Sequence, residues 1–279
     1  MKKATLLFPV CLSLIATHCC TAMEQQNTIQ QDTGLERNTI IYNTDCDSFQ
    51  KYLKWSDVKA KAAEALLSVI SDKKDSLLDI GAGNGMLTQR LESKFNHITA
   101  VEPSLQLFEF LKSNCCSDKY TLINLPIEET RLEKKFDVIL ASHSLKFIPN
   151  PEKVIAQIKN LLNDSGTFLL VDHGQESDYL KFYYTYRPYV FGKSETESIF
   201  IDYTDLLSKS FNVKKVIFYA TLSIPSIDEA ISMLDFFYDI EFKKIRSESL
   251  VDIRQALDKE YGNGRVNISL QEIVYICSK

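Results

Sequence analysis

Leu77-Leu78-Asp79-Ile80-Gly81-Ala82-Gly83-Asn84-Gly85 decides the fold of this chain. A short apolar run carrying one acid turns at once into closely spaced glycines, and the pattern from about Met86 to Leu91 is helical. Glycine has no Cβ and adopts positive φ readily, so a strand, glycine turn and helix in this order lets backbone N–H groups approach a ligand closely. A bound small molecule is implied.

Working outward, Ile98-Thr99-Ala100-Val101 reads as a second strand whose end carries Glu102, 21 positions after Gly81, followed by Pro103. An acid there suits the ribose hydroxyls of a nucleoside cofactor. A dinucleotide fingerprint G-x-G-x-x-G starting at Gly81 would need glycine at position 86, where Met86 stands. That spacing disfavours a nicotinamide oxidoreductase. Each residue also has a plain structural reading: Asp79 as a turn cap, Glu102 as a solvated acid opening the next helix.

The stretch D-I-G-A-G-N-G (Asp79–Gly85), taken with Glu102, resembles the cofactor turn of the Rossmann-like S-adenosylmethionine-dependent methyltransferases, over roughly residues 71–174. The resemblance implies an α/β fold, a doubly wound seven-stranded, mostly parallel sheet with an antiparallel last strand. It makes Asp79, Gly81, Ala82, Gly83, Asn84, Gly85, Glu102 and Pro103 the expected S-adenosyl-L-methionine site. Tyr120–Asn124 is then strand three, and the following Pro126 and Ile127 fall beside the adenine. Phe136–Ala141 is strand four; the loop behind it, Ser142-His143-Ser144, faces cofactor and acceptor, so Ser142 joins the cofactor set.

Asn150-Pro151 opens a helix with Val154, Ile155, Ile158, Leu161 and Leu162 at helical spacing, and Asn163–Gly166 reads as the turn into strand five, Thr167–Val171. Val213–Ala220 and Gln271–Cys277 are expected to complete the sheet. Helical spacing over Ile227–Ile240 and Leu250–Tyr261 predicts a helical C-terminal insertion, so residues 175–265 are expected to elaborate a substrate cover on a methyltransferase domain of residues 71–279. Residues 23–70 form a helical N-terminal segment.

His143 stands where an imidazole could take a proton from the acceptor or contact it, although a lone loop histidine is commonly structural. His173 is a weaker candidate of the same kind. Tyr179–Phe191 is dense in aromatics against a chain average of 11%; core packing explains that by default, and an acceptor wall that includes Tyr183 and Tyr186 is the functional alternative. A fainter resemblance to histamine N-methyltransferases, carried by Ser48–Asp57 and the loop after strand four, implies acceptor contacts at Asp57, His143 and Asn267. Histidine at position 143 departs from that family, which has an amide there.

Met1-Lys2-Lys3 followed by the apolar run Ala4–Ala16 has the form of a secretory signal cleaved after Ala22. Met23 is an equally good start, so residues 1–22 are either a signal peptide or upstream of the true N-terminus. The protein is accordingly expected to be exported or cytoplasmic. Without those residues Lys plus Arg falls from 32 to 30 against 37 acids, a net charge of −7, which makes nucleic acid a poor partner. The D/N-P-P-Y/F loop of base and amide methylation is absent after strand four. A small-molecule acceptor, an amine nitrogen above all, is expected, with a protein side chain or a non-catalytic interaction module as the alternatives. No stable membrane insertion is expected, and the protein is expected to act as a monomer. The spacing of Cys46, Cys115, Cys116 and Cys277 matches no zinc site, and direct displacement of the sulfonium methyl calls for no metal.

Overall fold

The computed structural model describes residues 46–70, 72–191, 200–238, 245–262 and 264–279. All of them belong to one compact unit, residues 40–279. The leader, the Met23 start and the whole segment before Cys46 lie outside the described residues.

Seven strands form the sheet: β1 (Lys74–Ile80), β2 (Phe95–Val101), β3 (Tyr120–Ile123), β4 (Phe136–Ser142), β5 (Leu162–His173), β6 (Asn212–Ile224) and β7 (Val266–Ser278). Their order is β3-β2-β1-β4-β5-β7-β6. β1 to β5 pair in parallel, and β7 runs antiparallel to both β5 and β6. This is the expected doubly wound fold. The sequence order reverses between β1 and β4, and a ligand crevice opens at the carboxyl ends of such a pair.

Strands β1, β4 and β5 read as nearly unbroken apolar runs because both of their faces are covered. Ile139, Ala141, Phe168 and Leu170 pack on one face with Val154, Ile155 and Ile158 of α5 (Pro151–Leu161). Val138, Leu140, Leu169 and Val171, one residue out of phase, pack on the other face. There they meet Ala62, Ala63 and Leu66 of α2 (Val58–Val69) and Leu87 and Leu91 of α3 (Met86–Leu91). Each such fully buried aliphatic side chain is worth roughly 1.5–3 kcal/mol. Helix α5 starts as its sequence predicts, with Pro151 in the first turn and Asn150 accepting from Lys153 N at 3.0 Å. The fourth helix of the series, α4 (Leu105–Asn114), follows β2 and is capped by Ser104.

A third apolar cluster lies off the sheet. It joins α1 (Cys46–Trp55), α6 (Asp178–Phe191), α8 (Ile227–Ser232), α9 (Leu234–Tyr238) and α10 (Ser247–Tyr261) to the outer ends of β6 and β7; the short α7 (Thr204–Ser208) packs under the sheet instead. This cluster explains where the structure differs from the sequence expectation. β6 and β7 run past their predicted bounds because Thr221–Ile224 pair with Val266–Ser269, which puts Leu222, Ile224, Val266 and Ile268 into the cluster. The helix expected over Ile227–Ile240 breaks at the fully buried Met233 into α8 and α9; positions 239 and 240 lie outside the described residues. Asn163–Gly166 is an irregularity inside β5 rather than a turn before it. Leu162 already pairs with Phe136, and the parallel register resumes at Thr167 opposite Val138.

Candidate active site

Three glycines shape the turn after β1. Gly81, Gly83 and Gly85 have φ of +70°, +59° and +79°. A Cβ on Gly81 would lie 2.4 Å from the Ser144 side chain, because the loop after β4 closes against this turn and Ser144 Oγ donates to Ile80 O at 2.6 Å. A Cβ on Gly85 would strike Leu111 at 2.7 Å and Cys115 at 2.8 Å. At Gly83 a Cβ would meet no atom within 4 Å. Gly83 therefore owes its identity to conformation and leaves open space above it, while Gly81 and Gly85 owe theirs to packing as well.

Glu102, 4% exposed at the end of β2, locks this turn from below. Its Oε2 accepts from Gly83 N and its Oε1 from Ser104 N, both at 2.8 Å. Burial raises its pKa, and the two backbone donors oppose that rise. Asp79 sits deeper, where Thr88 Oγ1 donates to it at 2.6 Å, and burial pushes its pKa up to about 6.

A cavity of about 420 Å3 opens above this turn. At one end it is lined by Gly81, Ala82, Gly83, Asn84, Glu102, Pro103, Pro126, Ile127 and Ser142, which brings most of the expected cofactor residues onto one wall. Asp79 and Gly85 are not on that wall. Asp79 braces the turn through Thr88, and Gly85 begins α3. The residues fit a nucleoside ligand: the cradle over Gly83 is open, Glu102 presents a carboxylate, and Ser142 Oγ is buried with no hydrogen-bond partner.

Aromatic rings close the other end. Tyr179 and Tyr183, four residues apart on α6, face the cavity with Tyr52, Phe236 and Phe237. Tyr186 does not join them. It belongs to the neighbouring stripe with Phe182, its ring 4.7 Å away, and its hydroxyl donates to Glu260 at 2.7 Å beside an outer groove. Asp57 and Asn267 also lie away from the cavity. Asp57 is exposed and accepts from Thr221 N at 2.6 Å, pinning the α1–α2 junction to β6. Asn267 is on the solvent side of β7, accepting from Ser223 Oγ at 2.8 Å, because alternate residues of a strand face opposite ways.

His143 lines the cavity at the junction of the two ends, and its φ of +56° is the one positive value for a non-glycine among the described residues. Such strain persists where surrounding contacts hold it, and it gathers at functional sites. Here His143 N donates to Val171 O at 2.8 Å. Its ring stacks at 4.8 Å from that of His173, which also lines the cavity.

Two buried acids that the sequence reading missed stand behind these rings. Glu272 Oε1 contacts His173 Nδ1 at 2.8 Å, and Asp172 Oδ1 lies 3.5 Å from both His143 Nδ1 and Lys146 Nζ. Tyr203 OH donates to the other Asp172 oxygen at 3.1 Å. Burial alone would raise the Asp172 pKa, yet Lys146 and the histidines hold it far below the carboxylate range. Burial opposes ionisation of Glu272 as well, and His173 and His143 outweigh it. Burial lowers the His143 pKa against the pull of those acids. An acid at the head of the apolar run Ile273-Val274-Tyr275, within a strand, was the available signal for Glu272. Lys59, which lines the cavity from α2, was equally missed; burial lowers its pKa and Asp79 opposes that.

A parallel-sheet crevice with a glycine turn, a strand-end acid beneath it and a closed aromatic end defines a nucleoside-cofactor transferase site of the Rossmann-like kind. The model of a methyltransferase-domain family matches residues 50–203, so the chain belongs to that family, the S-adenosylmethionine-dependent methyltransferases with this fold. Malonyl-[acyl-carrier protein] O-methyltransferase of Priestia megaterium is 30% identical over 129 residues, covering 44% of this chain and 47% of that protein. Ubiquinone biosynthesis O-methyltransferase of Glaesserella parasuis is 26% identical over 131 residues, 37% of this chain and 50% of that one. The matched stretch thus spans about half the length of these curated relatives. The YcgJ protein of Bacillus subtilis shares the fold, with a TM-score of 0.54 at 14% identity over 78% of this chain and 97% of that one.

Proposed function

We propose that the chain transfers a methyl group from S-adenosylmethionine to the nitrogen of a small-molecule amine. The observation that carries this reading is the continuity of the cavity, which runs from the glycine turn and Glu102 to the aromatic end beside His143 and His173. When bound, S-adenosylmethionine supplies a sulfonium-activated methyl that needs no further activation.

The protein's part is placement. Glu102 would accept hydrogen bonds from the ribose hydroxyls, since each of its oxygens keeps a lone pair beyond the backbone bonds it already takes. Gly81–Asn84 would pack under the ligand, and Pro126 and Ile127 beside the base. Lys59 would meet the carboxylate of the methionine moiety. At the other end, ring faces of Tyr179 and Tyr183 and the ionised pair Asp172 and Glu272 favour a cationic amine. His143, which lines the cavity, would take the amine's proton so that a lone pair faces the methyl. Holding the two reactants in line, away from water, then provides most of the rate. The reading is of a monomer without a nucleic-acid partner. Among the described residues no helix is long and apolar enough to cross a membrane.

The curated relatives are named for oxygen acceptors, and the family match ends at residue 203, before β7 and Glu272. His143, His173, Tyr179 and Tyr183 lie within the matched stretch, and Phe237 and Glu272 lie beyond it. The test is calorimetric titration of the full chain with S-adenosylmethionine, followed by detection of S-adenosylhomocysteine with small aromatic amines and matched phenols. Saturable binding, weakened about 30-fold or more in Glu102→Ala through loss of charge-assisted hydrogen bonds, is expected. Turnover with amines alone supports the nitrogen acceptor; turnover with phenols alone replaces it, and binding without turnover in any extract leaves an interaction module.

A further inference from the structure

Glu272 sits opposite His173 in the β5–β7 ladder, fully buried. One of its oxygens is taken by His173 Nδ1; the other, Oε2, has no hydrogen-bond partner among the described residues. Facing that oxygen at 3.4 Å is His143 Nε2, buried and equally without one. The second nitrogen of His143 looks the other way, towards Asp172 Oδ1, and Asp172 is in turn fixed by Lys146 and Tyr203. A neutral imidazole has one ring proton for these two carboxylates: with it on Nδ1, facing Asp172 at 3.5 Å, Nε2 is a lone pair aimed at Glu272 Oε2 at 3.4 Å. Two electron-rich atoms buried face to face call for a positive charge between them.

The geometry points to a binding site for a borderline transition-metal dication, Zn2+ in the first place, formed by His143, His173 and Glu272. One ligand atom from each of the three lies within 4.8 Å of the others. Bonds of about 2.0–2.2 Å to an ion at their centre need only small side-chain rotations. Two imidazoles and one carboxylate suit zinc with its fourth position open, and His143 and His173 line the cavity, so that position faces the acceptor. Asp172 on the far nitrogen of His143 is the outer carboxylate that holds a ligating imidazole in the correct tautomer.

The site goes beyond the amine reading, and one consequence rests on that reading: metal and amine proton compete for the same His143 imidazole, so the ion acts as an inhibitor of N-methylation. Metal binding itself is measured without cofactor or acceptor. The full chain, stripped with a chelator, is titrated with Zn2+ against a chromophoric chelator, and with Co2+ while its absorption is recorded. One equivalent of each ion is expected, with no thiolate charge-transfer band. His173→Gln and Glu272→Gln are each expected to weaken binding at least about tenfold. Circular dichroism confirms their folding, and if the buried Glu272→Gln variant unfolds, His173→Gln at the cavity wall decides alone.

The proposal is overturned if the wild type binds no stoichiometric zinc, if a thiolate band reveals cysteine ligation, or if His173→Gln binds as tightly as wild type. In the first case a proton alone fills the gap between His143 and Glu272. Zinc binding that persists while S-adenosylmethionine fails to bind would remove the methyl-transfer reading and leave the metal site standing.

Discussion

The two ends of the cavity are built in opposite ways. The cofactor end is made mainly from backbone over short sequence distances: the turn from Gly81 to Gly85, closed by Glu102 through Gly83 N. The aromatic end is made from side chains drawn from α1, the loop after β4, α6, α9 and β7, so that Tyr52, His143, Tyr179, Phe237 and Glu272 meet across more than two hundred positions. A backbone site tolerates little change in conformation, whereas a side-chain site can be refitted residue by residue. Of these side chains, Phe237 and Glu272 lie beyond the family match, which ends at residue 203.

The largest expected effect lies in the turn. Gly85→Ala combines a left-handed φ with contacts of 2.7 and 2.8 Å to Leu111 and Cys115. It should cost about 2–4 kcal/mol in urea unfolding, as strain and overpacking add. Gly83→Ala has the same strain without the clash, so about 1–2 kcal/mol is expected, with cofactor affinity hit harder than stability. Equal losses from the two substitutions would break the distinction between a packed glycine and a ligand-facing one.

Asp79 offers a pH test of the same end. Its pKa, raised by burial to about 6, means the folded state holds its proton more tightly than the unfolded state does. Its contribution to stability is therefore complete below the unfolded carboxylate range and is lost as pH rises through about 6. Asp79→Asn keeps a partner for Thr88 and removes the charge. Relative to wild type it should gain up to about 2–3 kcal/mol between pH 4 and pH 7. A stability difference that stays flat over that range would show that Asp79 is not desolvated as the structure has it.

The smallest effect bounds the acceptor end. Asn267→Ala removes a surface contact to Ser223 and should change stability by less than about 0.5 kcal/mol, with acceptor KM unaltered. A severalfold change in KM would mean that the solvent face of β7 belongs to the acceptor site after all.

Much of the fold was legible because its signals are local. β1, the glycine turn and α3 follow one another without interruption, and α3 spans Met86–Leu91 as its spacing predicts. β6 and β7 were seen only in part, since their outer ends are stabilised by each other and by the cover rather than by any pattern of their own. At the site, Tyr183 lines the cavity and Tyr186 does not: aromatic density marks a helix that packs rings, but not which of two stripes faces the cavity. Asp57 and Asn267 came from a family likeness, and here both spend their side chains on holding β6 and its neighbours.

By itself the sequence determined the sheet class, the glycine turn and the strand-end acid beneath it, because a chain segment of about twenty residues contains all the groups involved. Only the tertiary structure decided that His143, His173, Asp172 and Glu272 form one cluster. Ninety-nine positions separate His173 from Glu272, and what joins them is the antiparallel register of β5 on β7, a pairing that no local pattern specifies.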